Sequence, residues 1–144
     1  MLVNAISIRQ PYAGLIVAGI KMIENRGWKT ARFGTLAICA TKKPEPPEVF
    51  DEMRLKCKKL RVPFPEELCA INGACIGTVE MVGIVYSDHG LARSDQHKQI
   101  AWLPLNVARR WWDESCFGWV MRKAKAITPF PVSGKQGLFT LNIN

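Results

Sequence analysis

The sequence predicts a mixed α/β fold of the α+β type, a small β-barrel with two or three helices packed at its ends. Segments with helical periodicity are few and are inserted among strand-like runs. Apolar runs with the length and composition of strands dominate, at 5–8, 35–40, 74–86, 117–127 and 138–143. This order favours a sheet that curves on itself, so that its apolar faces cover one another.

The first predicted strand leads into a short helix. Pro11 suits the first helical turn, where its missing N–H is not needed. Tyr12, Leu15 and Ile16 share one apolar face at helical spacing. Gly19 fits the position just after a helix end, and beyond it we expect a loop that enters an extended segment.

The middle of the chain predicts a buried strand and a longer helix. The run at 35–40 is continuously apolar, and prolines follow it. A helix is expected from about 47 to 60. Its acidic side chains come early and its basic ones late, an order that complements the helix dipole. That order explains the basic cluster at 54–61 without a binding role.

The second half predicts three more strands around a polar stretch. The longest, 74–86, contains two glycines that indicate bulges or tight bends. Residues 87–101 are polar and predict a loop, and 106–114 predicts a short helix. Two prolines are expected to interrupt the strand at 117–127 before the last strand begins.

Composition predicts one cytoplasmic domain. A chain of 144 residues is long enough for one domain with its own core, here 1–144. It has no run of about 18 apolar residues and no basic and apolar leader, so we expect neither a membrane span nor secretion. The five cysteines form no Cys-x-x-Cys pair, and there are only two histidines. We therefore expect reduced thiols, no metal site and no cofactor.

The net charge of +8 is unevenly distributed. Residues 1–43 carry seven basic side chains and one acidic one, and residues 115–144 carry four basic and no acidic side chains. The middle, 44–114, holds nine basic and eleven acidic side chains. If the two ends meet in the fold, they form a positive face that attracts phosphate groups. The alternative is the solvated surface of an ordinary basic protein.

Lys21, Glu24 and Arg26 are the strongest candidates for a functional site. Glu24 is the one acid among the first 43 residues, so it must pair with nearby cations or act on a ligand. In an extended chain 24 and 26 share a face, and a bend must bring Lys21 to them. The cations can hold phosphate or a base edge, and the carboxylate can accept from an amine or activate water. If the three residues form a functional site, we expect them to point into one solvent-connected cleft, with Lys21 exposed. The alternative is a structural ion-pair network.

Aromatic side chains give a second group of candidates. Tyr12 and Trp28 flank the charged residues, so they are the better candidates for rings that stack on bases. Trp119 lies in an apolar run and is expected in the core. Trp111 and Trp112 are adjacent and point in different directions, so at most one is expected to be exposed.

A glycine-flanked loop at 133–137 gives a weaker signal. Its two glycines let backbone amides approach an anion, and Lys135 adds a positive charge. The spacing of a Walker loop is absent. A tight turn between strands is the ordinary explanation of this sequence.

Two N-terminal segments resemble the ASCH domain, the activating-signal-cointegrator homology family of the PUA-like superfamily. They are Ser7-Ile-Arg-Gln-Pro-Tyr12 and Gly19-Ile-Lys-Met-Ile-Glu-Asn-Arg-Gly-Trp28. The family signature Gly-x-Lys-x-x-Glu-x-Arg is matched at every fixed position. Later, Phe117-Gly-Trp-Val120 and 131–139 are similar to the terminal strands of bacterial and phage members. The resemblance covers nearly the whole chain and indicates a single-domain member of that type.

The resemblance implies a PUA-like barrel with a ligand cleft between barrel and helix. Family members are thought to bind RNA or nucleotides there, so we expect binding of RNA or a modified nucleotide, with no membrane partner. Gln10, Tyr12 and Trp28 would line the cleft. The full set of expected ligand contacts is Gln10, Tyr12, Lys21, Glu24, Arg26, Trp28, Lys135 and Gln136.

The resemblance also leaves two other classes of function open. Some members are reported as ribonucleases, and another branch hydrolyses N4-acetylcytidine with a lysine, a threonine and a glutamate. Lys21 matches that lysine, whereas Glu24 stands where that branch has threonine; an enzyme would use both as catalytic residues. A protein-interaction module, as in the transcription coactivator that names the family, would instead need an exposed apolar patch.

Overall fold

The computed structural model describes residues 1–143 and, within them, contains seven strands and five helices. The strands are β1 Leu2–Ile8, β2 Ile23–Arg26, β3 Gly34–Ala40, β4 Ala74–Asp88, β5 Leu91–Asp95, β6 Phe117–Pro131 and β7 Phe139–Asn142. The helices are α1 Tyr12–Val17, α2 Pro47–Leu60, α3 Glu66–Cys69, α4 His97–Ile100 and α5 Leu105–Ala108. The mixed α/β class expected from the sequence is confirmed.

All seven strands belong to one sheet. Its order is β2-β6-β4-β3-β1-β7, and β5 adds a hairpin partner to β4. Neighbouring strands run antiparallel except β1 and β3, which are parallel. The sheet is not closed into a complete barrel by backbone hydrogen bonds, because the four-residue strands β2 and β7 are its two edges. A side chain spans part of the opening: Arg26 Nη2 donates to the carbonyl oxygen of Ser7, 2.9 Å away.

Strand irregularities explain two features of the sequence. The pairing of β4 with β6 shifts register beside both Gly77 and Gly83, as the glycines in this strand indicated. The expected interruption of β6 by prolines is wrong, since the strand continues to Pro131. Pro129 lies where the register between β4 and β6 shifts, so its missing N–H removes no paired hydrogen bond.

The polar stretch after β4 differs most from expectation. Part of the predicted loop at 87–101 forms β5, which turns back on β4 through His89 and Gly90, both at positive φ. The helix expected at 106–114 is reduced to α5. The predicted helices correspond to α1, α2 and α5, whereas the four-residue turns α3 and α4 were not predicted. In the described part, no helix is long and apolar enough to cross a membrane.

The core forms around α1, which packs on the inner face of the sheet. Ala13, Ile16 and Val17 are buried against apolar side chains of β1, β3, β4 and β6. A second buried cluster contains Trp111 and Trp112, so neither of these tryptophans is exposed. All five cysteines are free, and four of them are buried. Burial raises the pKa of Cys69 to about 12, which keeps this thiol protonated.

Gly14 sets the distance between α1 and α3. A Cβ atom at this position would lie 2.6 Å from Cys69 Sγ and 2.8 Å from the backbone nitrogen of the same residue. Backbone cannot move aside as a flexible side-chain end can. The two helices therefore approach each other closely only because position 14 has no side chain.

Gly14→Ala should lower stability, although alanine favours helix by about 1 kcal/mol over glycine. The contact with the Cys69 backbone should outweigh that gain and reduce the free energy of unfolding by about 1–3 kcal/mol, as overpacking does. Urea unfolding of the wild type and the variant measures the difference. Gly27→Ala is the control, because a Cβ there meets no atom within 4 Å. An unfolding free energy of Gly14→Ala at or above that of the wild type would contradict the close approach.

Candidate functional site

The segment after α1 assembles a buried ion-pair network. The helix ends at Val17, Ala18 is its C-cap, and Gly19 follows with a φ of 77°. The next turn directs Lys21 back over β2, where its Nζ donates to the carbonyl oxygen of Ile23 and lies 3.1 Å from Glu24 Oε1. The other carboxylate oxygen, Glu24 Oε2, lies 3.1 Å from Arg26 Nη2. One carboxylate is thus held by two cations.

Burial separates this network from an ordinary surface pair. Lys21 is 5% exposed and Glu24 is 8% exposed. The bend expected to bring Lys21 to the other two residues is present, but the expectation that Lys21 lies exposed is wrong. Its ammonium is turned inward because it caps a backbone carbonyl as well as the carboxylate. Substitution of Lys21 therefore tests folding as well as ligand binding.

Arg26 connects the network to β1. The same Nη2 atom that contacts Glu24 donates to Ser7, whereas Arg26 Nε and Ser7 Oγ have no hydrogen-bond partner within residues 1–143. The loop before β7 closes over this point, because a Cβ at Gly134 would lie 2.6 Å from Ser7 Oγ. The glycine there is explained by this close approach.

A cavity of about 370 Å³ opens on the Glu24 side of the network. We call it the Glu24 cavity; it is lined by Tyr12, Lys21, Glu24, Asn25, Met53, Lys56 and Trp111. Lys21 Nζ lies 5.5 Å from the centroid of the Tyr12 ring, and Lys56 Nζ lies 4.0 Å from that of Trp111. Burial, followed by the charge of Glu45, raises the pKa of Tyr12, so its hydroxyl remains a neutral donor at physiological pH.

Lys56 and Trp111 are members of the site that sequence reasoning missed. The basic residues of α2, including Lys56, were attributed to the helix dipole and given no binding role. Trp111 was not singled out, because it and Trp112 are adjacent and at most one of them was expected to be exposed. Met53 and Lys56 are three residues apart and share a helix face, which is the one local signal that could have found them. Burial and then the charge of Lys21 lower the pKa of Lys56. An anion in the cavity would favour its charged form.

The other predicted contacts lie outside the Glu24 cavity. Gln10 is 0% exposed: its amide donates to the carbonyl oxygens of Leu68 and Ile71, and its oxygen accepts from the backbone N–H of Gly14. Its hydrogen bonds join α1 to the α3 region. Trp28 is 38% exposed and meets the buried Trp119 edge to face at 4.8 Å.

Lys135 and Gln136 are exposed in the loop that covers Ser7. Neither residue lines the Glu24 cavity. Among residues 1–143 there is also no group of three or more histidine, cysteine, aspartate or glutamate residues that could hold a metal ion. The groups that line the Glu24 cavity include a carboxylate held by cations, two ammonium groups and two aromatic rings.

The fold and this motif define a class of protein. The sequence profile of the ASCH domain matches residues 6–128, a range that includes the whole Lys21–Arg26 network. The chain belongs to the ASCH domain family.

Individual relatives agree with this assignment. The chain is 41% identical over 81 residues to human activating signal cointegrator 1, and 40% identical over 81 residues to the mouse protein. Each alignment covers 54% of this chain and 13% of the relative, so the chain spans only a small part of those proteins. The crystal structure of a mutant ASCH protein from Zymomonas mobilis shares the fold, with a TM-score of 0.51 and 16% identity over 96% of this chain and 89% of that one.

The buried network should show strong energetic coupling between Lys21 and Glu24. Lys21→Met leaves the carboxylate short of one cation, and Glu24→Gln leaves the ammonium without its anion. Each single change should cost about 3 kcal/mol of unfolding free energy, the low end expected for a broken buried pair that borders a cavity. The double variant should cost less than the sum, with a coupling of about 1–3 kcal/mol by urea unfolding.

The matched control for this cycle is the exposed pair of Arg109 and Glu114, which are 2.8 Å apart. Its coupling, measured with Arg109→Met and Glu114→Gln, should stay below about 1 kcal/mol. Additive effects at Lys21 and Glu24 would mean that Arg26 alone balances the carboxylate.

Proposed function

We propose that this chain binds RNA and holds one nucleotide, unmodified or modified, in the Glu24 cavity. One observation carries the proposal: a carboxylate fixed by two cations shares a cavity of about 370 Å³ with a third cation and two aromatic rings. These groups suit the three parts of a nucleotide. Cations suit the phosphate, rings suit the base face, and a carboxylate suits an amino group on the base edge.

Each group has a distinct role in this proposal. Glu24 accepts a hydrogen bond from an exocyclic amine, since a carboxylate oxygen can accept from more than one donor. Tyr12 offers a ring to the base. Lys56, which covers the ring of Trp111 in the structure, turns toward the phosphate when a base takes its place. Stacking on an aromatic side chain contributes about 1–3 kcal/mol per base.

The charge of the whole chain supports a polyanionic ligand. A net charge of +8 steers RNA toward the protein and adds affinity that does not depend on sequence. The similarity to activating signal cointegrator 1 is confined to 13% of that protein, so it supports a domain-level function only. Four buried, free thiols fit a reducing compartment, and we extend the proposal to a cytoplasmic location.

Binding is favoured over hydrolysis by the state of Glu24. A general base needs a carboxylate oxygen free to take a proton, but both oxygens of Glu24 already face cations at 3.1 Å.

The protein-interaction alternative needs a contiguous apolar patch. Large apolar side chains exposed within the described residues instead come from several separate parts of the chain: Met1 and Leu2, Trp28, Leu55, Leu91, and Trp102 and Leu105.

Lys56→Ala should weaken RNA binding about tenfold, because one ammonium–phosphate contact is lost. The slope of log affinity against log salt should become shallower by about 0.7, the value for one phosphate on a single strand. Fluorescence anisotropy with a labelled 12-nucleotide single-stranded RNA measures both quantities.

Lys58→Ala is the matched control, because this lysine is exposed on the same helix, outside the cavity. It should change affinity less than twofold. Equal losses for the two variants would show that RNA responds to the general charge of α2 and would overturn the assignment to the Glu24 cavity.

The protein should leave its ligands chemically unchanged. Incubation with the same RNA should produce no fragments on a denaturing gel, and incubation with N4-acetylcytidine should release no acetate. The reason is that both oxygens of Glu24 are held by cations. Turnover that is lost in Glu24→Gln, when that variant is folded by circular dichroism, would instead establish the enzymatic alternative.

A further inference from the structure

A second cavity, of about 300 Å³, lies beside the Glu24 cavity. Lys21 belongs to the walls of both, so the two cavities are neighbours. The floor of the second is apolar and is formed by Ile16, Val79 and Met121. We call it the Trp102 cavity after the exposed aromatic residue at its rim.

Trp102 is partly exposed, and a hydrogen bond orients its indole ring. The residue is 44% exposed, and its indole Nε1 donates to the carbonyl oxygen of Gln99 at 2.6 Å. The guanidinium carbon of Arg122 lies 5.1 Å from the centroid of the ring. Among residues 1–143 Arg122 takes part in no ion pair, so its charge is not balanced by a carboxylate of the described chain.

The strand geometry of β6 brings a further cation to the same rim. Lys123 has a φ of 53° at a point where the pairing with β4 shifts register. Two consecutive cations of the strand, Arg122 and Lys123, consequently both line the cavity. Lys123 Nζ contacts Glu80 at 3.3 Å, but this pair is exposed and weak, so the lysine can exchange it for a phosphate.

We propose that the Trp102 cavity binds a second nucleotide of the same single-stranded RNA, next to the nucleotide in the Glu24 cavity. This inference rests on the proposed function and extends it from one nucleotide to two. The base stacks on Trp102 over the apolar floor, and Arg122 and Lys123 contact the flanking phosphates. Lys21, between the two cavities, lies where the chain of the RNA passes from one to the other.

The occupant is argued from charge and shape together. A purely apolar partner would leave two exposed cations unused at the rim, whereas a free phosphate would leave the indole and the apolar floor unused. A nucleotide uses both sets of groups, and every base has a face that stacks regardless of sequence. Single-stranded RNA is required, because the bases of a duplex are stacked on one another and cannot reach the indole.

Two substitutions test this site without touching the Glu24 cavity. Trp102→Ala and Arg122→Ala should each weaken binding of a labelled 12-nucleotide single-stranded RNA about 5- to 50-fold in fluorescence anisotropy. Arg122→Ala should also make the salt dependence shallower by about 0.7. Binding of the same RNA annealed to its complement should change less than twofold in Trp102→Ala.

Two surface changes outside the cavity serve as controls. Lys125→Ala removes an exposed cation from the same strand, and Leu105→Ala removes a similarly exposed apolar side chain. Both should change affinity less than twofold. Thermal unfolding followed by circular dichroism should give the wild-type midpoint for Trp102→Ala, since the residue lies at the surface.

The variants separate this inference from the function on which it rests. If Lys56→Ala lowers RNA affinity while Trp102→Ala and Arg122→Ala do not, the second site is overturned and the Glu24 cavity remains supported. The opposite pattern would support the second site and overturn the assignment of the first. The two-nucleotide proposal would also be overturned if Trp102→Ala and Arg122→Ala lowered affinity no more than the control variants do. An equal loss of affinity for single-stranded and duplex RNA in Trp102→Ala would overturn it as well. Absence of any RNA binding would overturn both.

Discussion

The carboxylate of Glu24 is the constraint on which the arrangement of the site depends. A buried charge is costly unless cations and hydrogen bonds compensate it, so Lys21 and Arg26 must both reach it. Lys21 lies just beyond α1, Glu24 and Arg26 lie in β2, and Arg26 also contacts β1 through Ser7. One side chain thus fixes the position of a helix end and of a four-residue edge strand. The cavity walls follow from that geometry.

Local patterns in the sequence were sufficient for much of this structure. The continuous apolar run predicted β3 to within one residue, and the bounds expected for α2, with acidic side chains early and basic ones late, match the structure. Both depend on interactions within a few residues, which periodicity records directly. Glu24 was conspicuous for a similar reason, as a lone acid in a basic segment. The carboxylate is paired, as the structural alternative required, yet it also faces a cavity, so the two interpretations are not exclusive.

What the sequence did not reveal depends on contacts between distant residues. Lys56 meets the ring of Trp111, far along the chain, and neither residue has a local pattern that pairs it with the other. The amide of Gln10 was expected to face a ligand, but it is fully used by carbonyl groups about sixty positions away. The strand β5 was missed because exposed polar side chains give no alternation, and its existence depends on pairing with β4.

The parallel pairing of β1 with β3 has a consequence for how this protein can vary. Two parallel neighbours cannot be joined by a tight turn, and the chain must cross over for about a dozen residues or more before it returns. Here the crossover is the segment that contains α1 and β2. Lys21, Glu24 and Arg26 therefore sit in a connection that the topology itself demands. Deletions in this segment threaten the sheet as well as the site, whereas the β4–β5 turn can change length without disturbing the order of the other strands.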